Sequence, residues 1–314
     1  MVASGNDQPE CEIAPFVYEQ TLTLLRKGIE VEIFPIIGKG FLGYLKAAFK
    51  LNKLLKEKEF NIIHGHYIMA ALVTILQFKV PVVTSFIGSD INDPKNRLLS
   101  RLTVFNRAKS LIFVSEKLQK ISGYKKKSFV IPYGLDLNKF FPIDKKEARK
   151  HLHWSDNELY IFFSSRFDRV EKNSQLAFAA IEKLKQKEMP CKLIEFRNIK
   201  AEDLNFYYSA SDLFLLTSIN EGSPQCIKEA IACNCPIVSS DVGDVKWVIG
   251  NTKGSFVASL NVDDITDKIV MAIEYSAKNG RVKSRERILE LGLDAENVAN
   301  RIIEVYQKVI IGIN

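Results

Sequence analysis

The chain has 314 residues, 46% hydrophobic and 26% charged, which suits two globular domains of ordinary size and excludes a disordered or low-complexity protein. The longest apolar run, residues 67–78, is too short to cross a bilayer, and the opening MVASGND has neither the basic nor the apolar stretch of a secretion signal. Net charge is +7 but lopsided: residues 1–142 carry 20 Lys and Arg against 12 Asp and Glu, and the remainder carries 24 against 25. The basic half suits an anionic partner, either a membrane surface or a charged acceptor, and equally a solvated basic surface. No aromatic and basic pattern marks a nucleic-acid module. Cys11, Cys191, Cys226, Cys233 and Cys235 are odd in number and lack paired spacing, so they predict free thiols in the cytoplasm rather than disulfides. Cys233-Asn234-Cys235 lacks the second Cys or His pair that a metal site needs.

Taken in order, residues 2–4 read as a short first strand and 5–15 as the loop to a helix over 16–27, which closes at Lys27-Gly28. Strand two is predicted at 29–34. The turn Gly38-Lys39-Gly40 leads to a helix over 42–58, with Lys46, Lys50 and Lys53 along one face, turned to water or to an anionic membrane. Strand three spans 61–64 and runs into His64-Gly65-His66-Tyr67; strand four spans 80–86 and runs into Ile87-Gly88-Ser89-Asp90. A helix over 95–107, a strand at 110–114, a Ser115-capped helix to 122 and a strand at 128–131 complete the first half. Pro132-Tyr133-Gly134-Leu135-Asp136 supplies the turn chemistry of a linker, and the first domain is expected to end at 142.

The second domain, 143–314, opens with a basic helix over 145–152 and a strand at 159–164. Arg166, Arg169 and Lys172 follow, cations at a strand's carboxyl end ahead of a helix over 173–187 and so placed for a diphosphate. A strand at 193–196 precedes the apolar block Leu213–Leu216, the pattern of a strand buried on both faces. That strand ends at Asn220-Glu221-Gly222. Ser223 then reads as an N-cap and Pro224 as the first position of a helix to about 233, with Ile227, Ala230 and Ile231 toward the sheet. A strand at 236–239, the turn Val242-Gly243-Asp244, a strand at 255–258 and helices over 262–278 and 294–310 finish the chain. Ligands of α/β sheets sit beyond strand carboxyl ends, where a helix N-terminus offers amides to an anion, and Gly222, Ser223 and Pro224 form such a place. Glu229 lies six residues past Ser223, about 9 Å along the helix, comparable to the reach from a diphosphate to its ribose.

The string from Glu221 to Gly243, EGSPQCIKEAIACNCPIVSSDVG, resembles the E-x7-E signature of family 4 glycosyltransferases, retaining enzymes of the GT-B fold. His64-Gly65-His66 resembles the family's HxH, and Pro132 to Asp136 its PxGxD link between domains. The resemblance implies that Glu229 holds the ribose hydroxyls, that Glu221 lies against the donor sugar, and that Lys172 with Arg166 or Arg169 neutralises the leaving diphosphate. The chain departs from the pattern in three places. The loop at 5–15 has Gly5 where relatives have Gly-Gly; Ile87 stands where many have a His beside the sugar, leaving that role vacant or passed to His66; and 191–212 is short of one strand–helix unit.

The expected fold is α/β GT-B, two Rossmann-like doubly wound parallel-sheet domains facing a cleft, with the last helix crossing back to the first domain. The expected function is retaining transfer of a sugar from a nucleotide diphosphate donor to a glycan or lipid-linked acceptor. No Asp-x-Asp is found, so no metal or other cofactor is expected. Expected placement is cytoplasmic, with peripheral contact at the inner face of the membrane through the basic half. Two readings compete, a sugar-nucleotide epimerase of the same fold and a non-catalytic module that binds nucleotide sugar or glycan.

Overall fold

A computed structural model describes residues 2–4, 13–36 and 40–312, with backbone alone at 2–4 and 41. The loop carrying Gly5 and Cys11, and most of the Gly38-Lys39-Gly40 turn, lie outside the described residues. The chain divides into two compact units, one made of residues 1–134 with 295–314 and the other of residues 135–294. The break therefore falls at Gly134 rather than at 142, and the last helix groups with the first unit.

Unit 1 runs β1 (Val2–Ser4), α1 (Pro15–Arg26), β2 (Phe34–Ile36), α2 (Gly40–Glu57), β3 (Ile63–His66), α3 (Ile68–Thr74), β4 (Val82–Phe86), α4 (Ser89–Asn92), α5 (Pro94–Leu102), α6 (Val104–Arg107), β5 (Ser110–Phe113), α7 (Glu116–Ser122) and β6 (Ser128–Val130). Its six strands form one parallel sheet in the order β2-β1-β3-β4-β5-β6. Three elements differ from the sequence expectation. Strand two lies at 34–36 and not at 29–34, because among the described residues β1 pairs on that side with Phe34, Pro35 and Ile36. Strand three reaches His66, so the two histidines lie within the strand and, two residues apart, share one face of it. The helix expected over 95–107 is broken at Thr103, and its start is set by Asp93, whose carboxylate accepts from the amides of Lys95 and Asn96 at 2.8 and 2.9 Å.

Unit 2 holds α8 (Lys145–His151), β7 (Leu159–Phe163), a 3-10 turn (Val170–Lys172), α9 (Ser174–Gln186), β8 (Cys191–Ile194), α10 (Leu204–Ala210), β9 (Leu213–Leu216), α11 (Gln225–Ala232), β10 (Ile237–Ser240), α12 (Val245–Ile249), β11 (Phe256–Ala258), α13 (Val262–Asn279) and α14 (Glu286–Glu290). The sheet order is β11-β10-β9-β7-β8, all parallel, so the winding reverses between β7 and β9. Leu213 to Leu216 are wholly buried, as a strand covered on both faces requires. One layer packs Ile161, Phe163, Leu213 and Leu215 against α9 and α13; the other packs Phe162, Phe214 and Leu216 against Tyr208, Ile227 and Ile231. The segment 191–212 carries α10, which its aromatic, uncharged sequence does not announce through any periodic polar face.

After unit 2, α15 (Ala295–Ile311) completes unit 1, where Val298, Ile302 and Val305 pack with Leu24, Val83 and Ile112. Gly134 permits this: a Cβ there would stand 2.7 Å from the Ala295 Cα.

Candidate active site

The carboxyl ends of β7, β9 and β10 lie side by side in unit 2, and each opens into a loop carrying residues singled out by the sequence. Such a switch point is where α/β sheets leave room for a ligand. Two backbone ties fix the loop after β7 to the loop after β9. The Thr217 hydroxyl donates to the carbonyls of Lys172 and Asn173, both at 2.9 Å, and the Ile219 amide donates to the Glu171 carbonyl at 3.0 Å. A third tie runs to β10, since the Ser240 hydroxyl donates to the Ser218 carbonyl at 2.7 Å.

This framework brings Lys172 and Glu221 together. Lys172 Nζ donates to Glu221 Oε1 at 2.5 Å, Ser218 Oγ donates to the same oxygen at 2.8 Å, and both partners are only about one-sixth exposed. Arg166 and Arg169 are placed differently: each is 55% exposed and paired with a neighbour in its own loop, Asp168 for the first and Glu171 for the second. Among the three cations predicted to meet a diphosphate, the structure packs Lys172 into the site framework and leaves both arginines on open loop surface.

The Gly222 to Pro224 corner is corrected in one respect. Ser223 is not the N-cap of α11; Pro224 holds that position with no side-chain cap, and the Ser223 hydroxyl donates instead to Asp244 Oδ2 at 2.7 Å. That bond ties the α11 entrance to the loop after β10. Gly243, with φ +55, lies so close that a Cβ there would stand 2.6 Å from the Gly222 carbonyl oxygen. The N-terminus of α11 thus opens at the carboxyl end of β9 with two glycines in backbone contact beneath it.

Glu229 sits one turn into α11. Tyr208 donates its hydroxyl to Glu229 Oε2 at 2.7 Å. Part of the side chain is open to solvent while its carboxyl is enclosed, and burial pushes that carboxyl up to about 7 against the pull of Tyr208 and Lys228. Lys228 is fully buried and donates to Gln225 Oε1 at 2.7 Å; burial pushes its ammonium down to about 8, opposed by Asp244 and Glu229. Burial also raises Asp244 above the usual carboxylate range. Lys228, Tyr208 and Asp244 are residues that sequence reading misses. Tyr208 lies on the unforeseen α10, and a lysine beside a glutamate reads as a solvated helix face.

His66 lies in unit 1, 2% exposed, stacked on His64 with ring centres 4.1 Å apart. Its Nδ1 shares a 2.8 Å hydrogen bond with the Tyr133 hydroxyl, its Nε2 has no partner among the described residues, and burial pushes its pKa down to about 3. At the end of β4 the amides of Ile87 and Gly88 donate to the buried carboxylate of Asp90 at 3.0 and 2.8 Å, so this corner is organised around Asp90. Among the described residues no group of three His, Cys, Asp or Glu converges as a metal site would require.

Two family profiles match the chain, one described as Glycosyltransferase Family 4 over residues 4–139 and one as Glycosyl transferases group 1 over residues 191–289. The chain is similar to TuaC of Bacillus subtilis, named for teichuronic acid biosynthesis, at 29% identity over 63% of this chain and 58% of that protein. It is also similar to an N,N'-diacetylbacillosaminyl-diphospho-undecaprenol alpha-1,3-N-acetylgalactosaminyltransferase of Campylobacter jejuni, at 26% identity over 66% of this chain and 62% of that one. The chain therefore spans less than two thirds of the length of these curated relatives. Among solved structures, sucrose-phosphate synthase from Thermosynechococcus elongatus superposes with a TM-score of 0.81 at 16% identity, covering 99% and 96% of the two chains. Anabaena HepE in complex with UDP and glucose superposes at 0.75 and 18% identity, covering 98% and 99%. These likenesses, with two parallel sheets of alternating strands and helices, make the fold GT-B.

Proposed function

The chain belongs to the family 4 glycosyltransferases, and from that premise we propose that unit 2 binds a nucleotide diphosphate sugar and that the protein transfers the sugar, with retention, to a glycan or lipid-linked acceptor. The observation that carries this reading is the Lys172–Glu221 pair, held at the switch point by Thr217 and Ser218 beside the α11 N-terminus. The chemistry asked of these groups is electrostatic. As the bond from the anomeric carbon to the diphosphate breaks, the electron pair leaves with the diphosphate. The Lys172 ammonium and the backbone N–H groups of Gly222 and Ser223 face that growing charge. Arg166 or Arg169 would contribute only by leaving its own loop carboxylate. Glu221 positions both the sugar and Lys172, and Glu229, oriented by Tyr208, accepts from the ribose hydroxyls. His66 enters only through its Nε2, which finds no partner among the described residues and could accept from or donate to a hydroxyl at the end of β3.

Solved neighbours in complex with UDP and with UDP-glucose favour a uridine donor, and the Campylobacter relative's name favours a lipid-linked acceptor. No metal ion is asked for, since charge is neutralised by side chains and amides. We also place the protein at the cytoplasmic side of a membrane. No described helix is long and apolar enough to span one, but α2 exposes Leu42, Leu45 and Phe49 along the face that carries Lys46, Lys50 and Lys53.

The test is a product assay. The protein is incubated with UDP-, GDP- and ADP-sugars and a panel of lipid-linked acceptors; released nucleotide diphosphate and the anomeric configuration of the product are read. Release coupled to an axial-to-axial or equatorial-to-equatorial product supports retaining transfer. An isomerised sugar nucleotide in place of free diphosphate would make the protein an epimerase, and binding with no turnover would make it a binding module.

A further inference from the structure

Lys228 is wholly buried in α11 and has no part in the transfer chemistry set out above. Its Nζ donates to Oε1 of Gln225, the first residue of the helix, at 2.7 Å. Stripping an ammonium of water is costly, and an unbranched apolar side chain would fill the same space without that cost. The groups around the ammonium account for its presence. Asp244 acts on it from the loop after β10, and Glu229 and Cys226 act on it from α11 itself.

Both of those carboxyl groups are enclosed, and each takes a 2.7 Å hydrogen bond from a neutral hydroxyl, Glu229 from Tyr208 of α10 and Asp244 from Ser223. A hydroxyl brings no charge. Among the described residues, the cation that acts on both carboxyls is Lys228. Ser223 and Asp244 tie the α11 entrance to the loop after β10, and Gly222 and Gly243 meet there in backbone contact. A donor diphosphate at this entrance would add a third anion to two enclosed carboxylates, and crowded like charges take up protons unless a cation lies among them.

We propose that Lys228 is a positioning residue for the donor: it is the internal cation that keeps Glu229 and Asp244 ionised together, so that Glu229 accepts from both ribose hydroxyls while Asp244 anchors Ser223 at the helix entrance. Lys228 itself, buried beneath the corner, touches no part of the donor. This role rests on unit 2 being the nucleotide diphosphate site, and the two are measured separately.

The full chain is compared with Lys228→Met in two ways. Carbon-13 NMR without ligand follows the Glu229 carboxyl, assigned with Glu229→Gln, and calorimetry follows UDP affinity from pH 6 to 9. Loss of the adjacent cation is expected to raise the Glu229 midpoint from about 7 by about one unit. At pH 7 the ionised share then falls from about one-half to about one-tenth, so UDP binds about 5-fold more weakly. By pH 9 the two proteins converge: the variant's Glu229 is ionised by then, and the Lys228 ammonium, which burial pushes down to about 8, has lost its charge in wild type as well. An unmoved midpoint, or an affinity lowered equally at every pH, overturns the proposal. Lys228→Met combined with Asp244→Asn removes the carboxylate that the single variant leaves without its cation, so the double variant should fold even where the single one does not. It is expected to keep the raised midpoint, and a wild-type midpoint there overturns the proposal too. Wild type that binds no UDP, with the midpoint still raised by Lys228→Met, refutes the donor site and upholds the coupling of Lys228 to Glu229.

Discussion

Glu229→Gln should remove a pH dependence from nucleotide binding. The Glu229 carboxyl titrates at about 7, because burial outweighs the help of Tyr208 and Lys228. A carboxylate accepts from two ribose hydroxyls; its protonated form accepts less well and competes as a donor. With that midpoint about one-tenth of the protein is ionised at pH 6 and about nine-tenths at pH 8, so UDP affinity should rise about 10-fold, or about 1.4 kcal/mol, across the interval. Calorimetry at both pH values measures this directly, and the phosphates' own titration is common to wild type and variant. Stability carries the opposite sign. The carboxyl's pKa is raised from 4.5 to about 7 on folding, so its stabilising contribution is complete below 4.5 and is lost as pH rises through 7. Glu229→Gln should accordingly be the more stable protein at pH 8. If the variant keeps the 10-fold rise in affinity, or if wild type binds UDP equally at pH 6 and pH 8, Glu229 does not hold the ribose.

Lys172→Ala should weaken UDP binding by about 10- to 100-fold, the loss of a hydrogen bond to a charged group, while Arg166→Ala and Arg169→Ala each change it by less than about 3-fold; an arginine variant matching Lys172→Ala would refute the ranking. Glu221→Gln should lower kcat with UDP affinity nearly unchanged, and a shift in affinity alone would move Glu221 away from the sugar. Gly243→Ala should destabilise the protein by about 2 kcal/mol or more in urea unfolding, from positive φ together with the clash on Gly222; an unchanged midpoint would contradict it. Activity should persist in excess EDTA, and loss restored by Mg²⁺ would show that a metal is required. Anionic vesicles should retain the protein at low salt and release it at high salt, more weakly after Leu42→Ser with Phe49→Ser; equal retention by neutral vesicles would remove the electrostatic part of the membrane contact.

Sequence reading found what local chemistry announces. Leu213–Leu216, the helix after Pro224 and the glycine at 243 are legible because burial on two faces, a missing amide and a left-handed backbone each restrict residue type. It stumbled where partners come from elsewhere in the chain. Ser223 has the right identity for an N-cap, yet Asp244, 21 residues on, captures its hydroxyl. Strand two was misplaced because pairing with β1 determines which part of 29–36 joins the ladder, and residues 29–34 alternate well enough to read as the strand themselves. Arg166 and Arg169 look equivalent to Lys172 in one dimension; only the ties from Thr217 and Ile219 single out the lysine's position. Tyr208 belongs to a helix that no pattern marked, and with it went the group that orients Glu229.

The chain leaves unit 1 at Gly134 and re-enters it at Ala295, so unit 2 is a continuous insertion and unit 1 is stitched from both ends of the sequence. On a ribosome the two would mature in an order opposite to their numbering. Every strand of unit 2 has emerged before α15 is made, whereas Val83, Ile112 and Ile131 wait for Val298, Ile302 and Val305 to cover them, and His64 waits for the Tyr306 hydroxyl. Until α15 is synthesised, the nascent first unit shows an uncovered apolar sheet face, which is a natural place for a chaperone to hold. A stop codon that removes Val298, Ile302 and Val305 would therefore harm the part of the protein translated first.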